Sequence, residues 1–152
     1  KEFIFSFLND CIEGASVLDL FAGTGALGIE ALSRGAGDIL YIDNSVQSLE
    51  LLQSNLKLCR LSEQAAWILG DVFREIRKLG RKGRRFDLII ADPPFKNSYR
   101  ERILNTVAQN NLLKSGGLLI IEHVFNDPDS EDGRFDLIKQ RQFGHCMVSI
   151  YQ

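Results

Sequence analysis

The segment Asp92-Pro93-Pro94-Phe95 places an acid, two rigid residues and an aromatic ring at the end of an apolar run. Because proline has no backbone N–H, the segment offers acceptors, the Asp92 carboxylate and nearby carbonyls, without competing donors. Such a corner suits the amino group of a flat nucleobase, since holding both of its hydrogens orients the nitrogen toward an electrophile. Phe95 provides a face on which that base can stack. A plain end to a strand is the alternative interpretation.

A second candidate site is the glycine-rich stretch that follows the first apolar run. Gly23, Gly25 and Gly28 form the pattern G-x-G-x-x-G between a predicted strand and a predicted helix, and Asp43 ends the next apolar run. Glycines let the backbone turn sharply and approach a ligand, and an acid at the second strand end can bind ribose hydroxyls. Taken alone, this pattern fits a dinucleotide-binding site.

Two further acids favour a different ligand. Asp19 precedes the glycine loop, where a carboxylate would repel the pyrophosphate that a dinucleotide places at the helix N-terminus. S-adenosylmethionine has an ammonium group and a sulfonium cation but no phosphate, so an acid in this position suits it. Asp71 follows the third apolar run and is placed to accept a hydrogen bond from an adenine amino group. A nicotinamide cofactor remains the alternative.

Each of these acids also has a purely structural interpretation. Asp19, Asp43 and Asp71 belong to a residue type that commonly caps helices. However, all three follow successive apolar runs, and the carboxyl ends of parallel strands meet at the edge of the sheet where such folds bind ligands. Together with the glycine loop, this order favours a binding site.

The order of the elements would bring these residues together. Five apolar runs alternate with helical patterns, and two strands around Phe143-Gly144 close the chain as a hairpin. The runs are nearly continuous, which is typical of strands covered on both faces. We therefore predict one α/β domain over residues 1–152, with a doubly wound, mostly parallel seven-stranded sheet and a C-terminal antiparallel hairpin. The predicted parallel strands are 16–21, 38–43, 65–70, 86–91 and 116–123, and the predicted helices between them begin near Ala26, Ser45, Asp71 and Ser98.

Composition limits the function classes. The chain has 152 residues, of which 45% are hydrophobic and 25% charged, with a net charge of −2. No apolar run approaches the roughly 20 residues that span a bilayer. Cys11, Cys59 and Cys146 form no disulfide framework, so we expect a cytoplasmic protein in which they are small buried side chains. We predict no metal site.

Other polar residues receive weaker assignments. The basic segment 74–85 can contact phosphates, although a solvated helix end and loop is the favoured interpretation. His123 and His145 are expected to have structural roles. Glu122, at the end of the fifth strand, is a candidate for substrate contact because it lies on the same sheet edge as the predicted site.

Four motifs, in the same order, resemble those of one family: VLDLFAGTGALGIEALSRGA, YIDNS, GDVF and FDLIIADPPF. The chain is similar to the bacterial small-subunit ribosomal RNA guanine-N2 methyltransferases, which are Rossmann-like class I enzymes. The resemblance extends to the closing hairpin. It implies S-adenosylmethionine as cofactor, S-adenosylhomocysteine as product and 16S rRNA as partner, within the small ribosomal subunit or an assembly intermediate. Family members usually begin with a short basic segment thought to help bind RNA, and we expect that segment to be missing here.

The resemblance also implies roles for individual residues. The cofactor-binding set comprises Asp19, Phe21, Ala22, Gly23, Thr24, Gly25, Gly28, Asp43, Asn44, Asp71, Val72 and Asp92. The catalytic set comprises Asp92, Pro93, Pro94 and Phe95.

The working hypothesis is methyl transfer to the N2 amino group of a guanine in 16S rRNA by a monomer. The same chemistry on adenine N6, in RNA or DNA, is the nearest alternative, since DPPF and DPPY also occur with adenine. A nicotinamide-dependent oxidoreductase and a non-catalytic cofactor-binding module are more distant alternatives.

Overall fold

A single sheet organises the chain in the computed structural model, which describes residues 1–95, 99–125 and 133–152. Its strands are β1 (Ser16–Leu20), β2 (Asp38–Asp43), β3 (Ala65–Leu69), β4 (Phe86–Ala91), β5 (Leu113–Val124), β6 (Leu137–Phe143) and β7 (Cys146–Tyr151). The strand order is β3-β2-β1-β4-β5-β7-β6. Strands β1 to β5 pair in parallel, whereas β7 pairs antiparallel with both β5 and β6. The predicted fold class is confirmed.

Helices cover both faces of this sheet. They are α1 (Glu2–Leu8), α2 (Ala26–Ser33), α3 (Val46–Cys59), α4 (Val72–Arg81) and α5 (Tyr99–Gln109), with a short 3-10 turn at Ser62–Gln64. Side chains of α1, α2 and α3 pack against one face, and those of α4 and α5 pack against the other. The central strands β1 and β4 therefore lie between two apolar layers, which explains their continuous apolar sequences.

Local sequence signals position the helices that follow β2 and β3. The Ser45 hydroxyl accepts a hydrogen bond from the backbone N–H of Ser48 at 3.2 Å, and the Asp71 carboxylate accepts one from Arg74 at 2.9 Å. Both contacts are N-caps, which satisfy backbone donors in the first helical turn. They start α3 and α4 almost directly after the strands, so residues at these strand ends stay at the sheet edge.

The structure differs from the sequence-based prediction in several details. Strand β3 is an edge strand, and its Trp67 and Leu69 are exposed. Strand β1 ends at Leu20, one residue before the predicted end, and α4 continues to Arg81 through residues assigned to a loop. The predicted helix start at Ser98 lies outside the described residues.

The prediction of three buried cysteines is wrong. Cys11 and Cys59 are exposed, and Cys146 is partly exposed. The error has a physical reason, since Cys11 follows the last turn of α1 and Cys59 ends α3, where helix ends emerge from the core.

Of the two histidines, His123 has the surroundings expected of a structural residue. His123 is buried, its Nε2 lies 2.7 Å from the Ser149 hydroxyl, and its Nδ1 lies 2.9 Å from the Val124 carbonyl. His145 lies exposed in the turn between β6 and β7. Among the described residues, no helix combines the length and the apolar character needed to cross a bilayer.

Candidate active site

The register of the central strands brings three of the predicted acids to one edge of the sheet. Asp19 on β1 pairs with Tyr41 on β2 and with Ile90 on β4. Asp43 and Asp92 each lie two residues beyond these partners, and side chains two residues apart in a strand share a face. The acids therefore come from one face of the sheet, at its carboxyl edge.

Asp19 is the buried member of this group, with 2% of its surface exposed. Its carboxylate accepts a hydrogen bond from the backbone N–H of Gly28, in the first turn of α2, at 3.2 Å. Burial raises the pKa of Asp19 well above its ordinary value, the bond from Gly28 opposes the rise, and the charges of Asp92 and Asp43 add to it. Asp19 thus supports the helix start, as the structural interpretation proposed, and it also holds a carboxyl group that a nearby cation would help to ionise.

The glycine loop has a shape that side chains would disrupt. Gly25 is the N-cap of α2 with a φ of 79°, and a Cβ there would overlap the side chain of Leu52. A Cβ on Gly28 would overlap Ile39 and lie 2.7 Å from the hydroxyl of Tyr41. The pattern therefore reflects close packing of the loop and α2 against β2 and α3, the role that glycine serves in such turns.

Asp43 connects this loop to the end of β2. One carboxylate oxygen accepts a hydrogen bond from the backbone N–H of Gly23 at 2.8 Å, and the other accepts one from Ser45 at 2.9 Å. Each oxygen retains a further lone pair for another donor. Two more contacts fix the loop: Ala22 donates its backbone N–H to Ile42, and the side chain of Asn55 donates to the carbonyl of Thr24.

A cavity of about 360 Å³ opens beside these strand ends, and we call it the first cavity. It is lined by Phe21, Asp43, Asn44, Asp71, Val72, Phe73, Asp92, Pro93, Pro94, Phe95, Tyr99 and Arg102. The structure thus brings most of the predicted site residues around one space. The remaining predicted residues, Asp19, Ala22, Gly23, Thr24, Gly25 and Gly28, do not line it and belong to β1, the loop and the start of α2.

Sequence reasoning missed three residues of the first cavity: Phe73, Tyr99 and Arg102. Phe73 and Tyr99 stack with their ring centroids 6.0 Å apart, and the Arg102 guanidinium lies 3.7 Å from the ring centre of Phe73. Phe73 directly follows the predicted Asp71-Val72 pair, so its place in the sequence could have indicated that it lines the same site. Tyr99 and Arg102 lie in the first turn of α5, and only the crossing of α4 and α5 brings them to Phe73.

Phe21 has an unusual backbone conformation for a bulky residue. Its φ is 57°, in the left-handed region, which costs on the order of 1–3 kcal/mol. Edge-to-face contacts with Phe73 at 6.0 Å and with Tyr99 at 5.7 Å hold its ring against the wall of the cavity. Strain of this kind, stabilised by surrounding contacts, is commonly found at binding sites.

Asp92 faces two cavities. Besides the first, it lines a second cavity of about 290 Å³ together with Glu122 and residues of α1, α2 and the β6–β7 hairpin. Its side chain is exposed to these spaces, yet the surrounding protein displaces enough water to raise the pKa of Asp92 above its ordinary value. A molecule bound in one cavity and a molecule bound in the other would therefore both lie next to this carboxylate.

The sequence is similar to one protein family and to proteins named as ribosomal RNA methyltransferases. A family model described as "Conserved hypothetical protein 95" matches residues 1–152. A Bacillus subtilis protein named "Putative rRNA methyltransferase YlbH" is 31% identical over 154 residues, covering 100% of this chain and 83% of its own length. The Ribosomal RNA small subunit methyltransferase D of Escherichia coli K12 is 30% identical, covering 100% of this chain and 75% of its own length.

Solved structures with the same fold are also known. One named "Putative methyltransferase yhhF from Escherichia coli" superposes with a TM-score of 0.87 at 27% identity, covering 99% of this chain and 82% of that one. The more distant methyltransferase SMU.776 was solved in complex with SAH, and it matches with a TM-score of 0.79 at 18% identity over 99% of this chain and 48% of that one. At that identity the second likeness concerns the fold alone.

Proposed function

The chain belongs to the family described as Conserved hypothetical protein 95, and we propose that it transfers a methyl group from S-adenosylmethionine to the exocyclic N2 amino group of a guanine in 16S rRNA. The family predicted from the sequence is confirmed, and at the coarser level the chain is a ribosomal RNA methyltransferase of that family. The specific target, the N2 atom of a guanine in 16S rRNA, is our proposal.

One observation carries this proposal: Asp92 lines both cavities. A methyltransferase must hold a methyl donor and an acceptor on opposite sides of one reaction point. A rigid Pro93-Pro94 corner directly after that acid keeps it in place and adds no backbone donors. The geometry therefore supports the transfer of a methyl group between two bound molecules rather than the binding of a single ligand without catalysis.

The first cavity fits S-adenosylmethionine by the chemistry of its walls. Among the residues that the structure describes, its lining has three carboxylates, Asp43, Asp71 and Asp92, against one cationic side chain, Arg102. That balance suits a cationic ligand without phosphate and disfavours a dinucleotide, whose pyrophosphate it would repel. Asp43 and Asn44 would hold the ribose, and Asp71 would hold the adenine amino group beside Val72. S-adenosylmethionine supplies a methyl group on positively charged sulfur and leaves as S-adenosylhomocysteine.

Asp92 is the residue that acts on the substrate. Its carboxylate accepts hydrogen bonds from the amino group and so orients the nitrogen, whose lone pair is otherwise shared with the ring. After methylation the nitrogen carries an extra proton and is acidic, so Asp92 or water can take that proton without a strong base. Phe95, 58% exposed at the wall of the first cavity, offers its ring to the base at the point of entry.

The wider setting follows from this function. The substrate is 16S rRNA within the small ribosomal subunit or its assembly intermediate, which places the protein in the cytoplasm. Residues 1–152 form one catalytic domain that acts as a monomer. The exposed basic residues of segment 74–85, on α4 and the loop after it, can contact rRNA phosphates away from the site.

Two measurements test the proposal. In calorimetric titrations, we expect S-adenosylhomocysteine to bind and NAD to give no heat. Labelled methyl groups should then transfer from S-adenosylmethionine to the 16S rRNA of unmethylated small ribosomal subunits and not to large subunits. Binding of NAD alone, or labelling confined to the large subunit, would contradict the proposal.

A further inference from the structure

The second cavity shares the side chain of Asp92 with the first. Its walls include Phe3 and Ile4 of α1, Glu122 of β5, and Phe143 and Val148 of the closing hairpin. Among the described residues, Asp92 alone lines both cavities. A volume of about 290 Å³ lies at the lower end of the range for ligand cavities, and such a space suits one nucleobase rather than a cofactor.

Two neighbouring carboxylates, Asp92 and Glu122, line this cavity. The last paired residues of β4 and β5 are Ala91 and Ile121, so Asp92 and Glu122 are the next pair along the two strands. Glu122 is half-buried, and burial together with the charge of Asp92 raises its pKa. Hydrogen bonding with the Cys146 thiol opposes this rise in the pKa of Glu122.

Two aromatic rings, Phe3 and Phe143, line the same cavity, and cationic side chains lie against them. The rings of Phe3 and Phe143 are 5.9 Å apart. The Arg141 guanidinium lies 5.5 Å from the ring centre of Phe3 and 5.2 Å from that of Phe143, and the Lys139 ammonium lies 5.8 Å from that of Phe3. Aromatic walls with cations packed against them suit a base whose attached phosphate remains outside the cavity.

The two carboxylates suit one base more than the other. The Watson–Crick edge of guanine has two adjacent donors, N1–H and the N2 amino group, and acidic side chains accept from both. Adenine has its amino group beside an N1 that is itself an acceptor, so one carboxylate would face a lone pair. An acceptor left against an acceptor is costly, because neither group then has a hydrogen-bond partner.

We propose that the second cavity receives the target guanine and that Glu122 determines the specificity for it. Glu122 accepts a hydrogen bond from N1–H, while Asp92 accepts from the N2 amino group that becomes methylated. Lys139 and Arg141 lie beside the phosphate of the same nucleotide. This inference rests on the proposed function, because it assumes a guanine substrate and an N2 product.

The test uses small ribosomal subunits in which the methylated guanine, once located by mass spectrometry, is replaced by 2-aminopurine. This analogue keeps the N2 amino group, but its N1 is an acceptor. The wild-type enzyme should methylate guanine with a kcat/KM at least tenfold above that for 2-aminopurine, consistent with a hydrogen bond to a charged group. Glu122→Gln should lower kcat/KM on guanine about tenfold and leave that on 2-aminopurine unchanged or higher, because a carboxamide can donate to N1.

Controls separate this role from a structural one. Glu63→Gln changes an exposed glutamate that precedes β3, at the other end of the sheet, and should change neither kcat/KM. Affinity for S-adenosylhomocysteine should remain within threefold in Glu122→Gln. Equal losses on guanine and 2-aminopurine, or no loss on either, would overturn the role of Glu122 while leaving the proposed function intact. If the wild-type enzyme yields no N2-methylguanosine, the proposed function itself fails, and this inference fails with it.

Discussion

The Asp43 carboxylate accepts a hydrogen bond from the backbone N–H of Gly23 at 2.8 Å, which attaches the glycine loop to the end of β2. The same carboxylate accepts from Ser45 at 2.9 Å, at the start of α3. One side chain therefore sets the shape of the loop and also faces the first cavity. Loss of this group should affect cofactor binding more than it affects the fold.

Asp43→Ala should weaken the binding of S-adenosylhomocysteine by about 10- to 100-fold, since hydrogen bonds to a charged group are each worth about 1.5–3 kcal/mol. Calorimetric titration measures this change. Asp38→Ala is the matched control, because Asp38 begins the same strand at the opposite edge of the sheet, where its carboxylate accepts a hydrogen bond from the Ser16 hydroxyl at 2.9 Å. Similar affinities for the two variants would contradict the assigned role of Asp43.

Asp92→Asn should lower kcat by about 1000-fold or more, since it removes the charged acceptor from the amino group at the reaction point. Cofactor affinity should remain within a few-fold, because the other acids of the first cavity are intact. The control is Asp87→Asn in the same strand. Asp87 accepts from the Ser16 backbone at 2.9 Å and pairs with Lys114 at 3.0 Å, far from both cavities, so this variant should lose some stability and keep its kcat. A kcat for Asp92→Asn close to the wild-type value would contradict the assigned role of Asp92.

Asp19→Asn should stabilise the free protein and weaken the binding of the cofactor. Burial raises the pKa of Asp19, so the folded state binds more protons than the unfolded state above the ordinary pKa of aspartate. Stability therefore falls as pH rises through this range, and a neutral side chain removes the loss. At pH 7 we expect Tm to rise by about 3 °C or more, which for a domain of this size corresponds to about 1 kcal/mol.

The dependence on pH provides the check for Asp19. The difference in Tm between Asp19→Asn and the wild-type protein should shrink as pH is lowered to about 3, below the ordinary pKa of aspartate, where the carboxyl group is largely protonated in both states. Thermal melting at a series of pH values measures it. A variant that is less stable than the wild type at pH 7 would show that the charge of Asp19 is stabilising, contrary to this account.

Gly25→Ala should damage the glycine loop through a steric overlap with Leu52. Gly14→Ala is the matched control, since Gly14 also has a positive φ, 71°, but a Cβ there meets nothing within 4 Å. The control should lose about 1–2 kcal/mol of stability from the left-handed backbone alone. Gly25→Ala should lose a further 1–3 kcal/mol, roughly the cost of overpacking, and more than tenfold in cofactor affinity. Equal effects in urea denaturation and titration would rule out the overlap as the cause.

The sequence was sufficient to predict the fold and the gathering of acids at one edge of the sheet for a physical reason. Continuous apolar runs require cover on both faces, and parallel strands bring their carboxyl ends to one edge. Asp43, Asp71 and Asp92 were predicted in this way, each from its place after an apolar run. The position of Asp19 was predicted, but its burial behind the loop was not, because the contact with Gly28 depends on how α2 packs.

The parts that were not predicted depend on contacts between distant segments. Phe73 and Tyr99 meet only because α4 and α5 pack side by side on one face of the sheet. Phe3 and Phe143, which form the second cavity, come from opposite ends of the chain. In sequence, such residues look like ordinary core residues of a helix or a strand, since periodicity reports burial and not the partner.

The identity of the methylated nucleoside tests the central claim most directly. Unmethylated small ribosomal subunits are incubated with the enzyme and S-adenosylmethionine, and the 16S rRNA is digested to nucleosides and resolved by mass spectrometry. The account predicts N2-methylguanosine in the reaction with the wild-type chain and none with Asp92→Asn. N6-methyladenosine as the only product would contradict the account and would favour the adenine alternative.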